Sequence, residues 1–98
     1  MIVRIHNTPN GRMLAICDSD ILGKKFEEDD KQLDLSSQFF QGEEMSEEDI
    51  EPILKDVYVI NAVGKESITF LEKHKLIEKD HAITIAGIPH AQCVVERD

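Results

Sequence analysis

Ninety-eight residues suit one compact domain over 1–98 that buries a core without disulfide or metal staples, and no apolar run approaches the ~20 residues of a membrane-spanning helix. Twenty Asp/Glu against eleven Lys/Arg leave a net charge of -9, which counts against direct nucleic-acid binding, because Lys and Arg must supply the contacts to phosphate. With 41% hydrophobic residues, 5% aromatic and no Trp, the core has to rest on Ile, Val and Leu.

"MIVRIH" (1–6) places Met1, Val3 and Ile5 on one face and Arg4 and His6 on the other. That alternation is a strand pattern and not a secretory leader, so a cytoplasmic protein is expected. In "NTPNG", Pro9 presets φ and Asn10-Gly11 is a strong hairpin signal, so residues 2–6 and 12–17 should pair antiparallel. "RMLAIC" (12–17) is apolar on both faces, as a central strand should be. "DSDILG" (18–23) reads as one helical turn with Asp18 as its cap and Gly23 at its end.

From Asp18 to Asp56 stand fourteen Asp/Glu and four Lys/Arg, a local balance of -10, whereas the two ends sum to +1. The block reads first as a solvated surface, and more sharply as a docking face for a basic protein or ribonucleoprotein partner. Within it, residues 24–45 are the least regular. Leu33/Leu35 and Phe39/Phe40 suggest short strands, with Phe26 as a loop anchor.

"SEEDIEPILKDV" (46–57) is a helix. Ser46 and Asp49 resemble a capping box, and Ile50, Ile53, Leu54 and Val57 share one face. Pro52 leaves two starts open, since it is tolerated in a first turn after Asp49 but removes a hydrogen bond if Ser46 is the cap. "YVINAVG" (58–64) is a buried strand, and "KESITFLEKHK" (65–75) a second helix with Ile68, Phe70 and Leu71 inward. "LI" (76–77) latches that helix, "EKD" (78–80) turns, and "HAITIAG" (81–87) and "CVV" (93–95) are strands separated by a bend at Gly87-x-Pro89. Mixed rather than strictly alternating elements predict an α+β two-layer sandwich, a mostly antiparallel sheet with two helices on one face.

Few residues point to chemistry. Asp-x-Asp after an apolar strand is found in phosphotransferases of the haloacid dehalogenase type, but this chain is too short and lacks the later motifs. Cys17 and Cys93 read as reduced, partly buried thiols. His90-x-x-Cys93 would face opposite ways on a strand, and there is no Cys-x-x-Cys pair or Gly-rich phosphate loop, so no metal, cofactor or catalytic residue is expected. What stands out is a polar group in apolar strands. Asn61 needs partners inside a buried strand, Gly64 and Gly87 permit close approach, and His90 and Gln92 can donate and accept. With Asp18, these are the candidate ligand-binding residues if the two strands are neighbours.

"AICDSDILGKKF", "LDLSSQFFQGE", "NAVGKESI" and "GIPHAQ" occur in an order that resembles an uncharacterised group of small archaeal proteins, domain-of-unknown-function family 424. The resemblance covers nearly the whole chain. It implies an archaeal cytoplasmic protein with a two-layer α/β sandwich and carries no established activity. One departure is local: the family often has Gly after the second helix, where this chain has "HKLI". The leading expectation is a binding or adaptor protein attached to translation or RNA-processing machinery through its acidic face. The alternative is a small-molecule site or enzyme built near Asn61 and His90.

Overall fold

A computed structural model describes residues 1–78 and 80–95. The strands are β1 (Ile2–Thr8), β2 (Gly11–Cys17), β3 (Lys25–Glu28), β4 (Lys31–Asp34), β5 (Glu43–Glu44), β6 (Val57–Val63), β7 (Ile83–Ile85) and β8 (Ile88–Val94); the helices are α1 (Glu47–Leu54) and α2 (Lys65–Lys73). Six strands form one sheet in the order β5-β1-β2-β6-β8-β7, and β3 and β4 form a separate hairpin. Every neighbouring pair is antiparallel except the central one, β2 with β6. A parallel pair needs a long crossover. Residues 18–56, the acidic block, are that crossover.

Both helices pack on the sheet face formed by Leu14, Ile16, Ile60, Ala62 and Cys93. Ile50 and Leu54 of α1 and Ile68, Phe70 and Leu71 of α2 join this core. Full burial of a side chain such as Phe70 or Leu71 stabilises the fold by about 1.5–3 kcal/mol. The capping box settles the start of α1: Asp49 N donates to Ser46 Oγ (3.3 Å), and Ser46 N donates to the Asp49 carboxylate (3.5 Å). Pro52 therefore lies inside the helix and leaves the Glu48 carbonyl without its usual donor, and α1 ends two residues later. The end of α2 needs no glycine. Lys75 takes the left-handed conformation (φ 59°), and Leu76 N returns to Leu71 O at 2.9 Å. Ile77 is buried in the same core, as a latch should be.

The crossover covers part of the opposite face. Its β3–β4 hairpin and a 3₁₀ turn at Gln38–Phe40 bring Phe26, Leu33, Leu35 and Phe40 over Cys17 and Val63, a second and smaller core. The acids are thereby divided: those of α1 lie on the helix side and those of β3–β4 on the other.

Several local expectations are corrected. Residues 19–23 form turns and no helix, and the Asp18 side chain caps a different helix. Phe26 is a strand residue paired with Leu33, while Phe39 and Phe40 sit in the 3₁₀ turn. The charged alternation of β3 and β4 hides this hairpin, and its tip uses Asp29 at φ 56° in place of a glycine. Near the C-terminus the bend falls one step early. Ala86 (φ 51°) and Gly87 (φ 81°) make a two-residue hairpin turn, and β8 runs unbroken through Pro89. The turn expected over 78–80 lies partly outside the described residues.

Candidate functional site

The β6–β8 register decides which candidate residues meet. Asn61 lies opposite Gln92 and Val63 opposite His90. Directly opposed residues share a face. Asn61, Gln92 and His90 therefore project together from the face that the crossover only partly covers. They form the floor of a cavity of about 380 Å³. Leu33 and Phe40 of the crossover make one wall, and Ile83 of β7 with His81 just before it makes the other.

The cover is tied down on both sides of this cavity. Arg4 Nη1 donates to Gln38 O (3.0 Å) and Gln41 O (3.1 Å), and the His6 ring bonds Phe39 O at 2.9 Å and stacks on Phe39 with centroids 4.6 Å apart. At the far edge, Ala86 N donates to Glu28 Oε1 at 2.9 Å. Of the two adjacent phenylalanines, Phe39 anchors the cover and Phe40 faces the cavity.

The floor polar groups are poorly satisfied by the protein. Among the described residues, Asn61 Nδ2 reaches only the Met13 sulfur (3.3 Å), a weak acceptor. His90 Nε2 is shut off from solvent and, among the described residues, has no hydrogen-bond partner. Burial, with a smaller contribution from Lys31, pushes the His90 pKa below its ordinary value, so the ring is held neutral. His81 is steadier, with its ring bonded to Gln92 O at 3.1 Å. Sequence reasoning missed His81, Leu33 and Phe40. Two adjacent aromatics in an otherwise polar stretch were the available sign of a wall.

Asp18 and Gly64 belong together elsewhere. Asp18 is buried, and its carboxylate accepts from Ser67 N (2.7 Å), Ser67 Oγ (2.8 Å) and Glu66 N (3.0 Å). These amides open α2, whose own N-cap is Gly64 and offers no side chain. A Cβ on Gly64 would lie 2.2 Å from Asp18 Cγ, and its φ of 109° disfavours any other residue. Asp18 is thus a helix cap donated by a strand, and its role needs no phosphoryl chemistry. Gly87 sits in the β7–β8 turn with open space around it.

The sulfur and metal readings resolve by strand parity. Cys17 faces the cover and Cys93 the helices, so the sheet separates them and no disulfide can join them. Burial pushes the Cys17 thiol up to about 12 and raises that of Cys93, which leaves both protonated. His90 and Cys93 point to opposite faces of β8. Among the described residues no three His, Cys, Asp or Glu side chains are grouped to hold a metal ion.

Asp18→Ala should cost roughly 2 kcal/mol by stripping the α2 amides of their acceptor. Gly64→Ala should destabilise too, but less in the Asp18→Ala background, where the added methyl has room; urea denaturation of the four proteins measures this coupling, and strictly additive losses would refute it. For His90, a folded pKa below 6.5 means that the folded state binds fewer protons than the unfolded chain. Its contribution is nil above about pH 6.5 and turns destabilising as pH falls from there toward the folded pKa. His90→Phe should remove that acid sensitivity and add about 1 kcal/mol by deleting the unpaired nitrogen. Thermal melts at about pH 7.5 and about pH 5.5 check both, and an unchanged difference between the two pH values would count against the neutral, unpaired ring.

The solved structures include one with this fold, described as "Crystal structure of an uncharacterized conserved protein from Methanopyrus kandleri". It is 25% identical, aligns over 99% of this chain and 93% of that one, and has a TM-score of 0.77. No curated protein matches the chain. The family described as "Protein of unknown function (DUF424)" matches residues 5–95, as the motifs "CDSDILGKKF" and "GIPHAQ" led one to expect, and the chain belongs to that family.

Proposed function

We propose that this protein binds a small molecule in the cavity between the sheet and its crossover, as a soluble cytoplasmic binding module. The observation that carries the reading is the convergence of Asn61, Gln92 and His90 beneath Phe40, with amide hydrogen-bonding capacity on Asn61 and Gln92 that the described residues leave unused. Binding sites combine apolar walls with a few polar groups that fix orientation, and this cavity has both. Cytoplasmic placement draws on the two reduced cysteines and on the absence of any helix, among the described residues, long and apolar enough to cross a membrane. Melting in the presence of a broad metabolite library should find at least one compound that stabilises wild type and fails with Asn61→Leu. A library without a single stabilising compound would remove the proposal.

A second reading is docking onto a basic partner of the translation or RNA-processing machinery. The exposed tip of the β3–β4 hairpin, with Glu27, Asp29 and Asp30, favours it. The division of the acidic block between two faces of the sheet weighs against a single docking surface. Affinity capture with a Glu27→Gln, Asp29→Asn, Asp30→Asn protein should lose basic partners; equal recovery by both proteins would exclude the tip.

A further inference from the structure

We infer that the ligand of this cavity is an uncharged heteroaromatic ring with adjacent donor and acceptor atoms, a nucleobase presented as a free nucleoside. The inference rests on the cavity being a binding site and adds the chemistry that the site selects. Charge is the first constraint. Among the described residues no Lys, Arg, Asp or Glu side chain lines the cavity. Lys31 is near enough to act on His90, but it does not form part of the wall. No helix N-terminus serves the site either, because that of α2 is already occupied by the Asp18 carboxylate. The lining therefore holds no permanently charged side chain, and burial disfavours a charge on His90. A phosphate or carboxylate placed here would find no permanent counter-charge in the lining, and a cation would find no carboxylate.

Shape and hydrogen bonding are the second constraint. Asn61 and Gln92 stand opposite each other, and each primary amide both donates and accepts. Among the described residues the Gln92 side chain makes no hydrogen bond within the protein, and Asn61 Oδ1 makes none. Two facing amides suit a ligand edge that alternates N–H and C=O or ring nitrogen. Phe40 contributes an aromatic ring to the lining, with Leu33 and Ile83 as further apolar residues. Rings with amide-like edges and stackable faces are what nucleobases offer. A base could also come from unpaired RNA, where stacking on aromatics is common, but its flanking phosphates would meet a chain of net charge -9.

Isothermal titration of the intact protein tests this with adenosine, guanosine, cytidine and uridine, their 5′-monophosphates, and short oligoribonucleotides of each base. At least one nucleoside should bind, its monophosphate at least tenfold more weakly. Gln92→Ala, an exposed position that should fold normally, and Asn61→Leu should each weaken the nucleoside at least tenfold. Tighter binding of the monophosphate, or Gln92→Ala and Asn61→Leu binding as well as wild type, would overturn the inference. An oligoribonucleotide that binds more tightly than its nucleoside, with affinity falling as salt rises, would overturn the free-nucleoside source. If the metabolite library yields a ligand while no nucleoside binds, this inference fails and the cavity remains a site. If nothing in the library binds, the cavity reading itself fails.

Discussion

The buried carboxylate of Asp18 holds together the two halves of this fold. It stands one residue past β2, where Asp18 N donates to Val63 O at 3.0 Å and so extends the parallel pairing with β6. From there its side chain reaches the first amides of α2. A carboxylate at a helix N-terminus is favoured by both the unsatisfied amides and the helix dipole. The same position forces Gly64, because only a residue without Cβ passes the carboxylate at 109° in φ. Gly64 N then donates to Pro89 O at 2.8 Å, which sets where β8 begins its ladder with β6. The register that brings Asn61 opposite Gln92 starts from this junction.

The parallel centre has a second consequence. The chain must leave β2 and return to β6 in the same direction, and residues 18–56 do so by visiting both faces of the sheet. On one face α1 completes the main core. On the other, the hairpin and the 3₁₀ turn are fastened to β1 through Arg4 and His6 and to the β7–β8 turn through Glu28. The fastenings lie at the two sides of the sheet, and the cavity is what remains over β6 and β8 between them. High charge in this segment fits its place at the surface: most of its residues are exposed, its buried apolar side chains are Ile21, Leu35, Ile50 and Leu54, and its one buried charged residue is Asp18.

What could be read from the sequence is what is encoded locally. Asn10-Gly11 specifies its hairpin, Ser46 with Asp49 specifies the start of α1, and the spacing of Ile68 and Leu71 specifies the inner side of α2. Asn61, His90 and Gln92 were visible because polar residues interrupt apolar strands. Their meeting was conditional on β6 and β8 being neighbours, which no local pattern states. The role of Asp18 was hidden for the same reason. Its partner, Ser67, is 49 residues away, while Asp directly after a strand looks like a cap for whatever follows. The β3–β4 hairpin escaped because its strands are short and charged on exposed positions, and its turn uses Asp29 and Asp30. Pro89 misled because proline ends many strands, yet it is tolerated here at the head of the β6–β8 ladder, where the carbonyl alone is used.

The face under the crossover shows why its three polar residues call for more than a packing account. Arg4 and His6 bond carbonyls of the 3₁₀ turn and its cap, and Cys17 and Val63 pack with Leu35 and Phe26. Asn61, Gln92 and His90 project from the same face without comparable partners. A buried nitrogen without a hydrogen bond, such as His90 Nε2, costs about 1–3 kcal/mol, and an apolar residue at position 90 would remove that cost. A domain of this size has only about 5–15 kcal/mol of stability in total, so such an unmet demand is a substantial fraction of it. On this face the polar side chains of β1 bond the cover where it is closed, whereas the amides of Asn61 and Gln92 stand where it is open, and it is this contrast that the proposed ligand site rests on.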